Sequence, residues 1–362
     1  MAFDPAALLA GPRGRRLLLE CARGIGAEQN SAEGEEFLWA LQHLEHVLEP
    51  SQGGGAVLSF SAARGSSSLP PSYSVQDFTR LLTGLALVPF SDRDLAHSLR
   101  DAVDAARYWQ PPDGADVLAA LPEVIEGLIR IAEQVCGSPF AASFPRTLDP
   151  TDQWSVLPAD QGRKVPLSIR NEVTRWRAST VEEEERATRD RPVDPRAPYS
   201  GSWWSTPPSA LVRSTGSWDG LGPVGLWLIE DSFGWTDLTA SPVSARPTTV
   251  FEIDGPEAWI ELTGRYPLEV TASRRHDWYR ITGCTRRWVL PDWSRVAADL
   301  DAVHLTVAGY LSTAGRELAL GDGFSTLLGG WDPDAAYWLT DDLDVGDPRA
   351  WRRDDLDWRP AD

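Results

Sequence analysis

Eight consecutive residues, Ser273 to Arg280, carry the densest group of reactive side chains in the sequence. They read Ser-Arg-Arg-His-Asp-Trp-Tyr-Arg. A histidine exchanges protons near neutral pH, and arginine binds phosphate or carboxylate through two parallel hydrogen bonds. We therefore predict His276 as a catalytic acid–base residue and Arg275 as a ligand-binding residue. The alternative is a surface loop that is held by salt bridges around one packed tryptophan.

Three short segments of the second half resemble parts of the ADP-ribosyltransferase fold. Residues 203–207 (Trp-Trp-Ser-Thr-Pro) resemble the aromatic–Ser–Thr segment whose hydroxyls brace the NAD-binding cleft of that family. Residues 250–254 (Val-Phe-Glu-Ile-Asp) resemble one of its central strands. The pair Asp332-x-Asp334 lies near the chain end, where the family has an acidic-x-Glu pair.

This resemblance implies an enzyme that attacks the anomeric carbon of a nucleotide sugar, as in ADP-ribosyl transfer or NAD hydrolysis. The family's second acid orients a ribose hydroxyl and stabilises oxocarbenium charge. That role would pass to Asp334, whose side chain is one methylene shorter than the family's Glu. His276 and Asp334 are thus the expected catalytic residues, and NAD is the candidate cofactor. The expected cofactor-binding residues are Trp203, Ser205, Thr206 and Arg275.

The tryptophan content supports a second hypothesis, a protein without catalytic activity. The chain has 17 tryptophans, most of them in its second half. Exposed Trp and Arg side chains form the hot spots of many protein interfaces, so the chain could be a protein-binding module. A deep pocket containing His276 or Asp334 would favour the enzyme. A flat, exposed, Trp-rich patch would favour the binding module.

Composition restricts the partners. The 362 residues are 42% hydrophobic and carry a net charge of −19, which indicates a folded, acidic protein that repels the phosphates of nucleic acids. Cys21, Cys136 and Cys284 are far apart, and no metal site is predicted. The longest apolar run, 81–90, has about half of the roughly 20 residues that a membrane span needs. Because the N-terminus lacks a signal-peptide pattern, we expect a cytoplasmic protein. The expected partner is a small-molecule or protein ligand.

Hydrophobic periodicity predicts an α+β fold, in which a helical N-terminal domain precedes a Trp-rich mixed β domain. Apolar residues recur at helical spacing over 31–48 and 115–135. The charged, proline-bounded stretch after them is typical of a linker or a solvated helix. The predicted units are a mainly helical domain over 1–157, a charged linker over 158–198, a mixed α/β domain over 199–340 and an acidic, loosely packed tail over 341–362.

Several runs of β-branched and aromatic residues predict strands. The predicted strands cover residues 56–60, 224–229, 248–253, 288–290, 302–307 and 334–339. Trp227 and Phe251 lie in two of these apolar runs, and both side chains are expected to be largely buried.

Overall fold

The computed structural model describes residues 3–50, 72–162 and 165–361. A helical region comes first and a strand-rich region follows, which confirms the predicted α+β class. The strand predicted over 56–60 lies outside the described residues. Within the described part of the chain, no helix is long and apolar enough to span a membrane.

The first region consists of helices that begin at well-formed caps. Ser31, Ser74 and Ser91 each accept a hydrogen bond from a backbone N–H in the first turn of the following helix, as N-cap residues do. The helices are α1 (Pro5–Ala10), α2 (Pro12–Glu28), α3 (Ala32–Val47), α4 (Val75–Gly84), α5 (Asp92–Asp104), α6 (Gly114–Ala119) and α7 (Pro122–Cys136).

The helix predicted over 115–135 is in fact two helices, α6 and α7. Pro122 occupies the first position of α7, and Leu121 before it has an extended backbone with ψ 133°. A proline ring clashes with a helical conformation of the preceding residue. The apolar spacing continues across this break, so periodicity alone could not reveal it.

The charged stretch contains a long helix, α8 (Ile169–Asp190). Only four of its residues are buried, and they recur at helical spacing in one narrow stripe: Ile169, Val173, Thr180 and Ala187. α8 packs against two later helices. The boundary between two folding units stays a prediction. Buried side chains from both regions belong to one hydrophobic cluster.

Fifteen strands form three sheets in the described residues. The largest has the order β15-β14-β5-β1-β2-β12-β9-β6, and β13 also pairs with β5. A second sheet has the order β10-β11-β8-β7, and β3 pairs with β4. The strands are β1 (Trp154–Pro158), β2 (Arg213–Thr215), β3 (Ser217–Trp218), β4 (Gly222–Pro223), β5 (Asp237–Ala245), β6 (Val250–Ile253), β7 (Pro267–Glu269), β8 (Arg287–Pro291), β9 (Ala302–Leu305), β10 (Leu318–Gly321), β11 (Phe324–Thr326), β12 (Ala335–Trp338), β13 (Leu343–Val345), β14 (Arg349–Asp354) and β15 (Asp357–Pro360).

Four short helices connect the later strands. They are α9 (Pro256–Arg265), α10 (Thr271–Thr282), α11 (Trp293–Asp299) and α12 (Val307–Thr313). Helices α10 and α11 each pack against α8, and α12 contacts α1 and α2 of the first region. The acidic tail, expected to pack loosely, instead adds β13, β14 and β15 to the largest sheet.

The strand predicted over 224–229 is wrong. Residues Val224–Leu226 form a short 3-10 turn, and the N–H of Gly225 donates to Thr215 Oγ1 at 2.8 Å. A side chain at Gly225 would lie only 3.1 Å from atoms of β1 and β2. Trp227 is buried, as predicted, whereas Phe251 is only partly buried. A fully buried apolar run does not reveal its backbone conformation.

The tryptophans mainly build the core. Trp259, Trp293 and Trp331 pack together with ring centroids 5.8–6.4 Å apart. The indole N–H of Trp331 donates to a backbone carbonyl, which gives a buried indole the partner it needs. Among the described residues, the tryptophans exposed by more than a third are Trp39 and Trp204. This distribution gives little support to a Trp-rich binding patch.

Candidate functional site

The reactive run 273–280 belongs to helix α10 and is largely buried. It is therefore not the surface loop of the alternative interpretation. Asp277 accepts hydrogen bonds from Ser200 Oγ at 2.7 Å and from the backbone N–H of Gly201 at 2.9 Å. Trp278 Nε1 donates to the carbonyl of Trp203 at 2.7 Å. These contacts fasten residues 199–203 along α10.

Two acidic residues of α8 hold the other side of α10. Glu184 accepts the backbone N–H groups of Ala272 and Ser273 at 2.7 and 2.8 Å, and so caps the start of α10. Glu183 forms ion pairs with Arg191 and Arg274. Much of the charge in the run thus joins α8 and α10 rather than facing a ligand.

His276 is 1% exposed, and its ring centroid lies 5.4 Å from that of Tyr199. Neither ring nitrogen has a hydrogen-bond partner among the described residues. Burial lowers the pKa of His276, and the neighbouring Arg275 lowers it further, so the imidazole is neutral at pH 7. Arg275 itself donates to the carbonyls of Ala272 and Val193.

The aromatic–Ser–Thr segment is also part of the packed interior. Ser205 is fully buried and its Oγ accepts the N–H of Gly329 at 3.0 Å. Thr206 is 8% exposed. The Trp203 ring packs against Tyr108 and Trp109 at centroid distances of 5.9 and 5.2 Å. Of the predicted site residues, Trp203 contacts α10 through its carbonyl, and α10 carries two others, Arg275 and His276.

Asp334 lies in the turn directly before β12, beside β2 and β9. Its Oδ2 accepts the N–H of Gly216 at 2.8 Å, and its Oδ1 lies 3.7 Å from His304 Nε2. The other ring nitrogen, Nδ1, lies 2.6 Å from Glu252 Oε2. Burial lowers the pKa of His304, but Asp334 and Glu252 outweigh burial and raise it to about 9. Asp334 thus stabilises a charged, buried histidine, and its catalytic role stays a prediction.

A different place has the form of a ligand site. A cleft of about 540 Å³ lies between the start of α2, the loop before α6, the end of α10 and the residues after α12. Clefts of this volume commonly bind small molecules. Four arginines line this cleft: Arg13, Arg15, Arg107 and Arg316. We call it the arginine cleft.

The four arginines differ in their partners. Arg13 pairs with Asp116, and Arg107 lies 3.3 Å from a carboxylate oxygen of Asp231. Arg15 instead donates to the carbonyls of Leu9 and Ala10, at 2.8 and 3.1 Å.

Arg316 donates to the carbonyl of Ser312 at 2.7 Å. Within the described residues, neither Arg15 nor Arg316 pairs with a carboxylate, and Nε of Arg15 is buried without a partner. Burial lowers the pKa of Arg15, the negative charge of Asp116 acts against burial, and the positive charges of Arg316 and Arg13 lower the pKa further. The cleft therefore has an excess of positive side chains: its lining contains four arginines and two carboxylates, Asp116 and Glu317.

The first turn of α2 adds to this positive potential. It contains no acidic residue, and Gly11 provides no side-chain cap. The N-terminus of a helix carries partial positive charge and attracts anions. Arg13 and Arg16 of α2 pair with Asp116 and Asp113, whereas Arg15 forms no ion pair among the described residues. The run Pro12-Arg-Gly-Arg-Arg was the sequence signal for this site, and periodicity analysis missed it.

Beside these arginines and the carboxylates of Asp116 and Glu317, the wall of the arginine cleft is largely apolar. Pro12, Val117, Leu121 and Ile281 supply apolar surface. Tyr108 lines the cleft and donates its hydroxyl to Glu230 Oε1 at 2.8 Å. The cleft can therefore hold an apolar body beside a negatively charged group.

Comparisons with known proteins identified no relative of the chain. No protein-family model matches the chain, and neither the curated proteins nor the solved structures give a match.

Proposed function

We propose that the protein binds a small anionic molecule in the arginine cleft. The observation that carries this proposal is the pair Arg15 and Arg316, which line the cleft without a carboxylate partner in the described residues. A protein with a net charge of −19 has many acidic side chains available to neutralise two arginines. Guanidinium groups bind phosphate and carboxylate with high geometric specificity.

The side chains that line the cleft restrict the class of ligand that it can bind. Apolar side chains such as Leu121 and Ile281 lie in the same cleft as the arginines. The expected ligand therefore joins a phosphate or carboxylate to a ring or another apolar body. Nucleotides belong to this class, and NAD is among them, so NAD stays the candidate cofactor.

Catalysis on NAD remains a separate proposal, with His276 and Asp334 as its residues. What supports it is the resemblance of three short segments. The contacts of Asp334 with Gly216 and His304 serve the fold, so we favour binding over catalysis. The protein-binding alternative depends on exposed residues such as Trp204, which is 43% exposed.

Calorimetric titration with AMP tests the binding proposal, with uncharged adenosine as the ligand control. We expect saturable binding of AMP and much weaker binding of adenosine. Arg15→Gln and Arg316→Gln should each weaken AMP binding by about 10-fold or more, because a hydrogen bond to a charged group contributes roughly 1.5–3 kcal/mol. Arg186→Gln, on the exposed face of α8, is the matched control and should bind as the wild type does.

Two results would overturn the proposal. One is the lack of saturable AMP binding up to about 10 mM, a concentration at which even millimolar affinity is detected. The other is equal affinity in the wild type, Arg15→Gln and Arg316→Gln, which would place the AMP elsewhere. Thermal unfolding of each variant without AMP distinguishes a lost contact from a lost fold.

A further inference from the structure

A buried carboxyl group lies directly behind the wall of the arginine cleft. Glu230 Oε1 accepts the hydroxyl of Tyr108, which itself lines the cleft. Glu230 Oε2 and the hydroxyl of Tyr310 are both buried, and neither has a partner at ordinary hydrogen-bond geometry among the described residues, although the Tyr310 hydroxyl is close enough to affect the pKa of Glu230. Buried polar atoms without partners are costly. A proton on Glu230 Oε2 would turn this acceptor into a donor.

The surroundings of Glu230 favour the protonated form. Burial raises the pKa of Glu230 to about 8, and the negative charge of Asp332 also raises it. The hydroxyls of Tyr108 and Tyr310 act in the opposite direction and lower the pKa, and the positive charge of Arg13 lowers it as well. The charged and titratable groups that face Glu230 are Arg13 of α2, Tyr108 before α6, Arg213 of β2, Tyr310 of α12 and Asp332 before β12.

Arg13 connects this carboxyl to the cleft. It lines the cleft, and its charge reaches Glu230, Tyr108 and Tyr310. An anion held near Arg13 and Arg15 would offset the positive charge that favours ionised Glu230. The electrostatic cost of ionised Glu230 would then rise, because charges in a desolvated region interact strongly.

We propose that an anion bound in the arginine cleft is taken up together with a proton, which Glu230 accepts from solvent. This inference rests on the proposed function, since it needs an anion in the cleft. The step breaks no covalent bond of the ligand: solvent supplies the proton, and the Glu230 carboxylate becomes a carboxylic acid.

The sign of the pH dependence follows from linkage. Below about pH 7 Glu230 is already protonated, so binding takes up no proton there. Near and above pH 8 the unliganded protein has lost part of this proton, and binding restores it. The affinity should therefore fall as the pH rises from about 8 to 9.5, by at most about tenfold per pH unit for one proton.

Calorimetry with AMP in two buffers of different ionisation enthalpy tests the linkage. The phosphate of AMP has its second pKa near about 6, so it does not titrate in this range. At about pH 8.5 we expect the apparent binding enthalpy to differ between the buffers by an amount that indicates proton uptake. At about pH 7 the difference should be small.

Two variants assign the proton. Glu230→Gln should bind AMP and show no uptake at about pH 8.5, because its amide imitates the neutral acid. Glu317→Gln removes a carboxylate that lines the cleft but pairs with Arg286, so it should retain the uptake. If Glu230→Gln fails to fold, the wild-type measurement still decides whether AMP binding takes up a proton.

The outcomes separate the two proposals. Saturable AMP binding with equal heats in both buffers would overturn proton uptake and leave anion binding intact. Uptake that persists in folded Glu230→Gln would overturn the assignment to Glu230. A lack of saturable AMP binding would overturn the anion site, and with it the linkage.

Discussion

At the scale of single residues, Asp334, one of the two predicted catalytic residues, contacts a buried histidine, His304. Asp334 and Glu252 flank His304, whose pKa of about 9 means that the buried ring is charged at neutral pH. The raised folded-state pKa stabilises the protein most below about pH 6.5, the unfolded value. That contribution is lost as the pH rises from about 6.5 to about 9.

Asp334→Asn should therefore lower the pKa of His304 and the free energy of unfolding at pH 7. Urea unfolding between about pH 6 and 9 measures the stability, and an NMR titration of His304 measures the pKa. Asp344→Asn, at an exposed position of β13, is the control and should change neither. Unchanged stability, combined with lost nicotinamide release from NAD, would contradict this account and support the catalytic role predicted for Asp334.

The burial of a residue could be predicted from the sequence better than its contact partners could. The apolar neighbours of Trp227 predicted its burial correctly, whereas the same reasoning was wrong for Phe251, which is only partly buried. The partners of Asp334 and Ser205 did not follow, because His304 and Gly329 reach them only through strand pairing and loop packing. Arg15 and Arg316 are about 300 residues apart in the sequence, so only the fold places them in one cleft.

At the scale of elements, the capping of α10 by α8 can be tested. Glu184→Ala removes the carboxylate that accepts the N–H groups of Ala272 and Ser273. The expected loss is about 1 kcal/mol of unfolding free energy, as for other helix caps. Urea denaturation measures it.

The neighbouring Glu185 gives the control for this cap. It is exposed on the same helix, so Glu185→Ala should change stability by less than about 0.5 kcal/mol. Equal losses in the two variants would show that the cap contributes no more than a surface charge of α8.

Elements with local signals could be predicted, and elements determined by packing could not. Helix α3 lies within the predicted range 31–48 because the Ser31 cap and the apolar spacing are encoded locally. The apolar run 224–229 lacks such signals. Its 3-10 turn depends on the close approach of Gly225 to Thr215 and Val156, which come from other strands.

At the scale of the whole molecule, the helical region and the sheet share one core. α12 of the second region packs against α1 and α2 of the first. A side chain at Gly11 would lie 2.1 Å from the carbonyl oxygen of Leu311, so the backbones of the two regions are almost in contact there. The boundary predicted over 158–198 therefore lies between parts that bury each other's surface.

We accordingly expect the full chain to unfold in one cooperative transition, because neither region keeps its core when the other unfolds. Helical circular dichroism at 222 nm reports on the helices of both regions, seven of the twelve described helices being in the first, whereas tryptophan fluorescence reports mainly on the second, which contains Trp259, Trp293 and Trp331. The two urea midpoints should coincide.

Two glycine variants test the contact between the regions. Gly11→Ala disturbs this contact and should lower both midpoints together. Gly24→Ala is the control, because no atom lies within 4 Å of the added carbon, and it should lower neither midpoint. Two separate midpoints, with only one of them sensitive to Gly11→Ala, would instead establish the two units that the sequence predicted.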